Sequence, residues 1–324
     1  MEAHIAVLGA GTMGGGIAEL FAGRGMSVAL YDPHESALER AGRRLVGGGR
    51  IAIAADDGAT PSRDAEAARP GGAERGRLRL TASLAEAARG ACFVFEAGPE
   101  RLETKRELFR DLAPLLGEDA VVASNTSTLS LVGLAERQPF ADRLVVAHFF
   151  NPAAVVPLVE LVGLPVTRPG VLERIAALLA DCGKTPVVLK KDCPGFIANR
   201  LQAAVLREAC HLLRSGVADA EQIDLAMTEG PGLRWALNGP LAIADYGGLD
   251  IWESVAGNLF PLLDNGPDAP ESIRDMVRQG RLGFKSGAGF YEYGEAAERE
   301  RIALGRERAL RELVRTRDKE RSES

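Results

Sequence analysis

A histidine opens and a glutamate closes the run 148-HFFNPAAVVPLVE-160, which is otherwise apolar apart from one asparagine and is punctuated by proline. An imidazole, with an ordinary pKa of about 6.5, exchanges a proton close to neutral pH, and a carboxylate is the group that can orient it. An isolated histidine beside an apolar strand, however, serves packing more often than catalysis, so this run alone decides nothing. A second stretch with chemical potential is 9-GAGTMG-14, which matches G-x-G-x-x-G. Glycines at those positions let the chain turn tightly and let backbone N–H groups approach a pyrophosphate at a helix N-terminus. Asp32 ends the next strand-like segment, where an acid can accept hydrogen bonds from the adenosine ribose. Gly9, Gly11, Thr12, Met13, Gly14 and Asp32 are therefore the expected dinucleotide-binding residues. An acid there repels a 2′-phosphate, so NAD is expected rather than NADP. His34, Arg40, Arg43 and Arg44 would weaken that repulsion if they did not simply form a solvated helix face.

The elements needed to position these residues are legible around them. Residues 4-HIAVLG-9 read as a buried strand, 16-GIAELFAGRG-25 carries apolar residues at helical spacing, and 27-SVALYD-32 is again strand-like. A β-α-β unit of this kind implies a parallel sheet. The segment 47–77 is rich in Ala, Gly, Arg and Asp without periodicity, and a helical excursion is expected there. Further apolar runs at 91–98, 120–127, 143–150 and 185–190 alternate with helix-like segments at 101–116 and 171–183. That alternation predicts a doubly wound α/β domain over 1–190. From 191 to 294 the strand signals stop, and 195–216, 219–230 and 240–263 read as helices with apolar faces, giving a smaller all-α domain. Residues 295–324 read as a charged helix or tail.

Composition narrows the function classes. The 324 residues are 46% hydrophobic and 26% charged, enough for two cored domains. No apolar run is long enough for a membrane span, and MEAHIAVLGAG leads straight into a strand-like segment, so a soluble cytoplasmic protein is expected. The four cysteines are far apart, which indicates neither a zinc site nor a disulfide framework, and no metal is expected. A formal net charge of −6 offers nucleic acid no general attraction.

The segments GAGTMGGGIA, FEAGPE, ASNTSTLS, HFFNP, PLVELV, CPGFIANRL and GLDIW occur in an order that resembles the L-3-hydroxyacyl-CoA dehydrogenase family over residues 4 to 293. The resemblance implies a Rossmann domain with a helical second domain, NAD as cofactor, and a role in fatty acid metabolism. It implies that His148 and Glu160 form a catalytic pair: the imidazole takes the hydroxyl proton as hydride leaves the same carbon, and the carboxylate stabilises the imidazolium. Ser127 and Asn199 match family residues that hold the substrate oxygen, although the types alone also suit a turn cap and a helix start. Glu100 and Lys105 match residues on the nicotinamide side, with an exposed pair at a helix start as the alternative, and Asn151 is expected beside them. The family habit is a homodimer through the helical domain. Trp235, Trp252 and Phe260 would anchor it, unless they are core aromatics.

Two departures bear on the substrate. No lysine occurs between the start and Lys105, where family members that use acyl-CoA carry lysines toward the CoA phosphates; Arg50, Arg63, Arg69, Arg75 and Arg77 are the available substitutes. The link 232-GLRWALNGPLAIADYGGLD-250 is longer than in those members and resembles the branch that oxidises gulonate and related free hydroxy acids or hydroxymethyl compounds. Arg234 would clamp a substrate carboxylate there, or else serve as a helix-end arginine. The expected function is hydride transfer between NAD and the C3 position of a short 3-hydroxyacyl-CoA, with a free hydroxy acid as the alternative substrate. A decarboxylating β-hydroxyacid dehydrogenase and a non-catalytic NAD-binding structural protein are the rival readings.

Overall fold

The computed structural model describes residues 4–47, 52–53 and 77–323. The excursion expected over 47–77, with Arg50, Arg63, Arg69 and Arg75, lies almost wholly outside them. The chain divides into two compact units, Met1–Ile197 and Ala198–Ser324.

The first unit runs β1 (His4–Leu8), α1 (Thr12–Ala22), β2 (Ser27–Tyr31), α2 (Glu35–Gly47), β3 (Ala52–Ile53), β4 (Arg77–Thr81), α3 (Leu84–Ala88), β5 (Phe93–Glu96), α4 (Leu102–Leu112), β6 (Val121–Ser124), α5 (Leu131–Ala135), β7 (Leu144–Phe149), β8 (Leu158–Val162), α6 (Val171–Asp181) and β9 (Thr185–Val188). Among the described residues the strands form one sheet in the order β3-β4-β2-β1-β5-β6-β7-β8-β9. Both faces are covered. Ile5 and Val7 point into one buried apolar cluster with Ile17 and Phe21 of α1, whereas Ala6 and Leu8 point into another with Phe109 and Leu112 of α4. Strands buried on both sides read as continuous apolar runs, which is why they were visible in the sequence. From β1 the chain builds outward through β2 and β4, then returns to β5 on the other side. The switch point between β1 and β5 is where a doubly wound sheet opens a crevice at its carboxyl edge.

Two features differ from the expectation. The sheet is not wholly parallel, because β7 and β8 pair antiparallel. The connection 150–157 is too short for a parallel crossover, which needs a dozen or more residues, so the chain can only turn back. The stretch 240–263 is not one helix either. It divides into α10 (Pro240–Gly247) and α11 (Leu249–Leu259) at Gly248, whose φ of 87° lies in the left-handed region. The other helices of the second unit are α7 (Ala198–Arg214), α8 (Ala220–Met227), α9 (Leu233–Trp235), α12 (Glu271–Arg278) and α13 (Ala296–Glu323). α8 is capped by Asp219, which accepts from the Gln222 N–H at 2.9 Å. No helix of the described residues is long and apolar enough to cross a membrane.

Candidate active site

The antiparallel turn-back sets the central geometry. His148 near the end of β7 lies opposite Glu160 of β8 in the strand register. Opposite residues of an antiparallel pair share a face, with Cβ atoms about 5 Å apart, so their side chains meet. His148 Nδ1 and Glu160 Oε2 are 3.0 Å apart and both residues are buried. The second carboxylate oxygen, Oε1, accepts from the backbone N–H of Ile197 at 2.8 Å, which fixes the carboxylate plane. On the far side of the ring, Nε2 is 3.2 Å from Ser127 Oγ. A carboxylate at Nδ1 selects the tautomer with its proton on Nδ1, and leaves the Nε2 lone pair facing the serine. The ring itself is held by Phe150, edge-on at 4.7 Å between centroids, and by Phe196 at 4.9 Å. Phe196 has φ 50°, a conformation bulky residues rarely adopt, and its N–H donates to Cys193 at 2.8 Å. It lies within the CPGFIANRL segment, but nothing in the residue type or spacing marks it as a contact of the imidazole.

Ser127 stands on the turn after β6, and that turn is organised by one carboxylate oxygen. Glu100 Oε1 accepts from Thr126 Oγ1 (2.6 Å), the Ser127 N–H (2.8 Å), the Thr128 N–H (2.9 Å) and Thr128 Oγ1 (3.0 Å). Burial alone would push the Glu100 carboxyl up, but the Thr126 hydroxyl, the two N–H groups and the nearby Lys105 ammonium more than offset it, and its pKa lies below the usual carboxylate value. Asn125 ties the neighbouring strand ends together by accepting the Phe149 N–H at 2.8 Å. Lys105 is not the exposed helix-start residue of the alternative reading. It is 1% exposed, on the same α4 stripe as Phe109 and Leu112, and its Nζ is 2.6 Å from Glu96 Oε1. Glu96 was missed as a site residue; its signal was a charge ending the apolar strand 93-FVFE-96, nine residues before a lysine on an apolar stripe.

The glycine-rich turn lies at the same carboxyl edge. A Cβ on Gly9 would come within 2.7 Å of the Ala97 carbonyl oxygen, and one on Gly14 within 1.8 Å of the Gly9 carbonyl oxygen, so both positions require glycine. At Gly11, by contrast, a Cβ would meet no atom within 4 Å. That opening fronts the N-terminus of α1, whose first turn has no side-chain cap. Unsatisfied N–H groups, open space and the helix dipole suit a pyrophosphate. Asp32 accepts from the Ala10 N–H at 2.9 Å and the His34 N–H at 3.0 Å, bracing the turn at the end of β2. Its carboxylate retains lone pairs for ribose hydroxyls. These residues fit a dinucleotide. Arg40, Arg43 and Arg44 of α2 are all exposed, as a solvated face requires; Arg44 donates to the Gly11 carbonyl at 3.3 Å and Arg43 pairs with Glu39.

The remaining expected site residues are placed separately. Asn151 is exposed just after β7, joined to Pro152 by a cis peptide bond. Asn199, in the first turn of α7, and Arg234, in α9, belong to the second unit. Arg234 is exposed, and among the described residues its side chain has no hydrogen-bond or ion-pair partner. No group of three or more potential metal ligands is found among the described residues.

Residues 4–193 match the model of the 3-hydroxyacyl-CoA dehydrogenase NAD binding domain, and residues 195–293 match that of the family's C-terminal domain. The chain is 35% identical over 293 residues to 5-formyl-3-hydroxy-2-methylpyridine 4-carboxylate 5-dehydrogenase of Mesorhizobium japonicum, covering 90% of this chain and 91% of that protein. It is 39% identical over 284 residues to L-carnitine dehydrogenase of Streptomyces coelicolor, covering 86% of each. A crystal structure of a 5-formyl-3-hydroxy-2-methylpyridine 4-carboxylic acid 5-dehydrogenase, described as an NAD+ dependent dismutase, superimposes with a TM-score of 0.87 at 33% identity, over 98% of this chain and 99% of that one. The chain belongs to the 3-hydroxyacyl-CoA dehydrogenase family of NAD-dependent oxidoreductases that act on CH–OH groups.

Proposed function

We propose that the protein interconverts a free hydroxy acid, or a related small hydroxymethyl compound, with its carbonyl form, using His148 as the proton-transfer group. The observation that carries the chemistry is the double engagement of one buried imidazole, Nδ1 on Glu160 and Nε2 beside Ser127. In oxidation the substrate hydroxyl donates to Nε2, and the proton moves there as the C–H bond yields its hydride. NAD, held by Gly9 to Gly14 and Asp32, supplies the hydride acceptor when bound. Glu160 stabilises the imidazolium that forms, and the Ser127 hydroxyl donates to the developing carbonyl oxygen. In reduction the same Nε2 returns its proton. Asn199 is given the second position on that oxygen, and Asn151 and Glu100 the nicotinamide side, because their motifs match the family pattern.

The choice of a free acid is supported by Arg234, an exposed guanidinium without a partner among the described residues, and by two relatives whose names give a free pyridine carboxylate and L-carnitine, with no CoA ester, as substrates. The second reading, a 3-hydroxyacyl-CoA, is supported by the description of the family itself. The ratio of kcat/KM with NAD decides between them, measured for 3-hydroxybutyryl-CoA against free 3-hydroxybutyrate, gulonate, L-carnitine and the pyridine carboxylate. A hundredfold preference for the thioester, about 2.7 kcal/mol of transition-state binding, sinks the free-acid reading. With the preferred acid, Arg234→Ala should raise KM at least tenfold. A homodimer is also proposed, supported by large apolar side chains left exposed on the second unit, Phe260 among them.

A further inference from the structure

We infer that Glu96 and Lys105 are positioning residues: a buried ion pair that fastens the serine turn at both ends and so sets Ser127 against His148. The inference rests on the proposed role of His148 and Ser127 at the substrate hydroxyl. It gives Lys105 a task that does not depend on touching the cofactor.

Glu96 is the last residue of β5 and 0% exposed. Both of its oxygens are engaged. Oε1 accepts from Lys105 Nζ at 2.6 Å and from the Gly98 N–H at 2.7 Å, and Oε2 accepts from Ser124 Oγ at 2.5 Å. Ser124 ends β6, so one end of the turn that carries Ser127 is attached directly to the pair. The other attachment runs through Lys105. Its ammonium, with three protons to place, has three acceptors around it: Glu96, the Gly98 carbonyl at 3.3 Å and Glu100 Oε2 at 3.6 Å. Gly98 is thus tied through both its N–H and its carbonyl, which fixes the turn from β5 to α4 and the Glu100 that follows. Glu100 then clamps residues 126–128 with its other oxygen. The path from Glu96 to His148 is continuous through named hydrogen bonds and one ion pair.

Energetics favour a geometric role. Desolvation of two buried charges cancels much of their attraction, so an apolar pair of similar volume would hold the α4 stripe at least as well. What an apolar pair cannot do is direct hydrogen bonds to Ser124, Gly98 and Glu100 at once.

The test is Lys105→Met, paired with Glu96→Gln/Lys105→Met, which leaves no unpaired charge buried if the single variant fails to fold. Backbone amide exchange in a peptide spanning 124–130 should speed at least tenfold in either folded variant and stay unchanged in His148→Asn. With the best substrate of the panel above, at saturating NAD, kcat per folded site should fall at least thirtyfold. Unchanged protection of the 126–128 amides overturns the inference. So does wild-type kcat in the folded double variant. A fully active His148→Asn would sink the site reading itself. An inactive His148→Asn beside an unimpaired lysine variant sinks only the positioning role.

Discussion

The two units of the chain dispose of their side chains in opposite ways. In the first, large apolar residues such as Phe140, Phe21 and Leu131 are wholly enclosed, and so are charged ones: Glu96, Lys105 and Glu160, each with partners. In the second, Cys210 is the one side chain beyond glycine that is buried among the described residues, while Leu241 is 84%, Tyr246 76% and Phe260 68% exposed. A sheet covered on both faces closes its own core, and the low-dielectric interior then gives each buried polar contact a directional consequence. In the proposed dimer, helices with uncovered apolar faces gain stabilisation by association. The first unit is accordingly where a proton-transfer geometry can be built in advance. The second unit carries the proposed partner surface and the proposed carboxylate contact, Arg234, apart from that buried geometry.

The sharpest way to break this contrast is at the imidazole. His148→Asn keeps a donor toward Glu160 but has no group able to take the hydroxyl proton, so kcat should fall about a thousandfold, near 4 kcal/mol, with NADH affinity and melting temperature almost unchanged. A large drop in melting temperature instead would mean that the pair is a structural clasp.

The next test sets the units against each other. Phe140→Ala, in the enclosed core, should cost about 3–5 kcal/mol in urea unfolding whatever the protein concentration. Phe260→Asp should leave the first unit's unfolding untouched but raise the dimer dissociation constant at least tenfold in sedimentation equilibrium. A wild-type chain that sediments as a monomer at micromolar concentration removes the association argument and leaves those apolar faces unexplained.

The same contrast governed what the sequence disclosed. Strands enclosed on both faces, such as 4-HIAVL-8 and 144-LVVAHF-149, announce themselves as apolar runs, and the glycine turn is fixed by backbone crowding at Gly9 and Gly14. β4, 77-RLRLT-81, was invisible because it alternates arginine with leucine at the end of a low-complexity stretch. β8 gives no continuous apolar run, since Glu160 interrupts it, and that interruption is the residue that faces His148. Pairing across strands depends on register, which no local pattern reports. Lys105 was masked for a related reason: a lysine on an amphipathic helix normally points to water, and only the stripe it shares with Phe109 and Leu112 says otherwise.

The smallest expected effect concerns Glu100, which is partly exposed and bridges the buried pair to the serine turn. Its carboxyl titrates below its ordinary value of 4.5, because the hydrogen bonds from Thr126, Thr128 and Ser127, with the Lys105 charge, outweigh the cost of its partial burial. A group with a depressed folded pKa contributes stability that is complete above its unfolded value and is lost as pH falls through the folded one. The clamp should therefore hold at pH 6 and weaken progressively below about 4.5. Solvent screening at a partly exposed carboxylate keeps the contribution under about 1 kcal/mol. Unfolding midpoints for the wild type and Glu100→Gln should differ at pH 6 and converge toward pH 3, because the protonated acid and the amide then make similar contacts. A gap that persists undiminished at pH 3 would show that the clamp does not depend on the charge, and that the turn bearing Ser127 is held by shape alone.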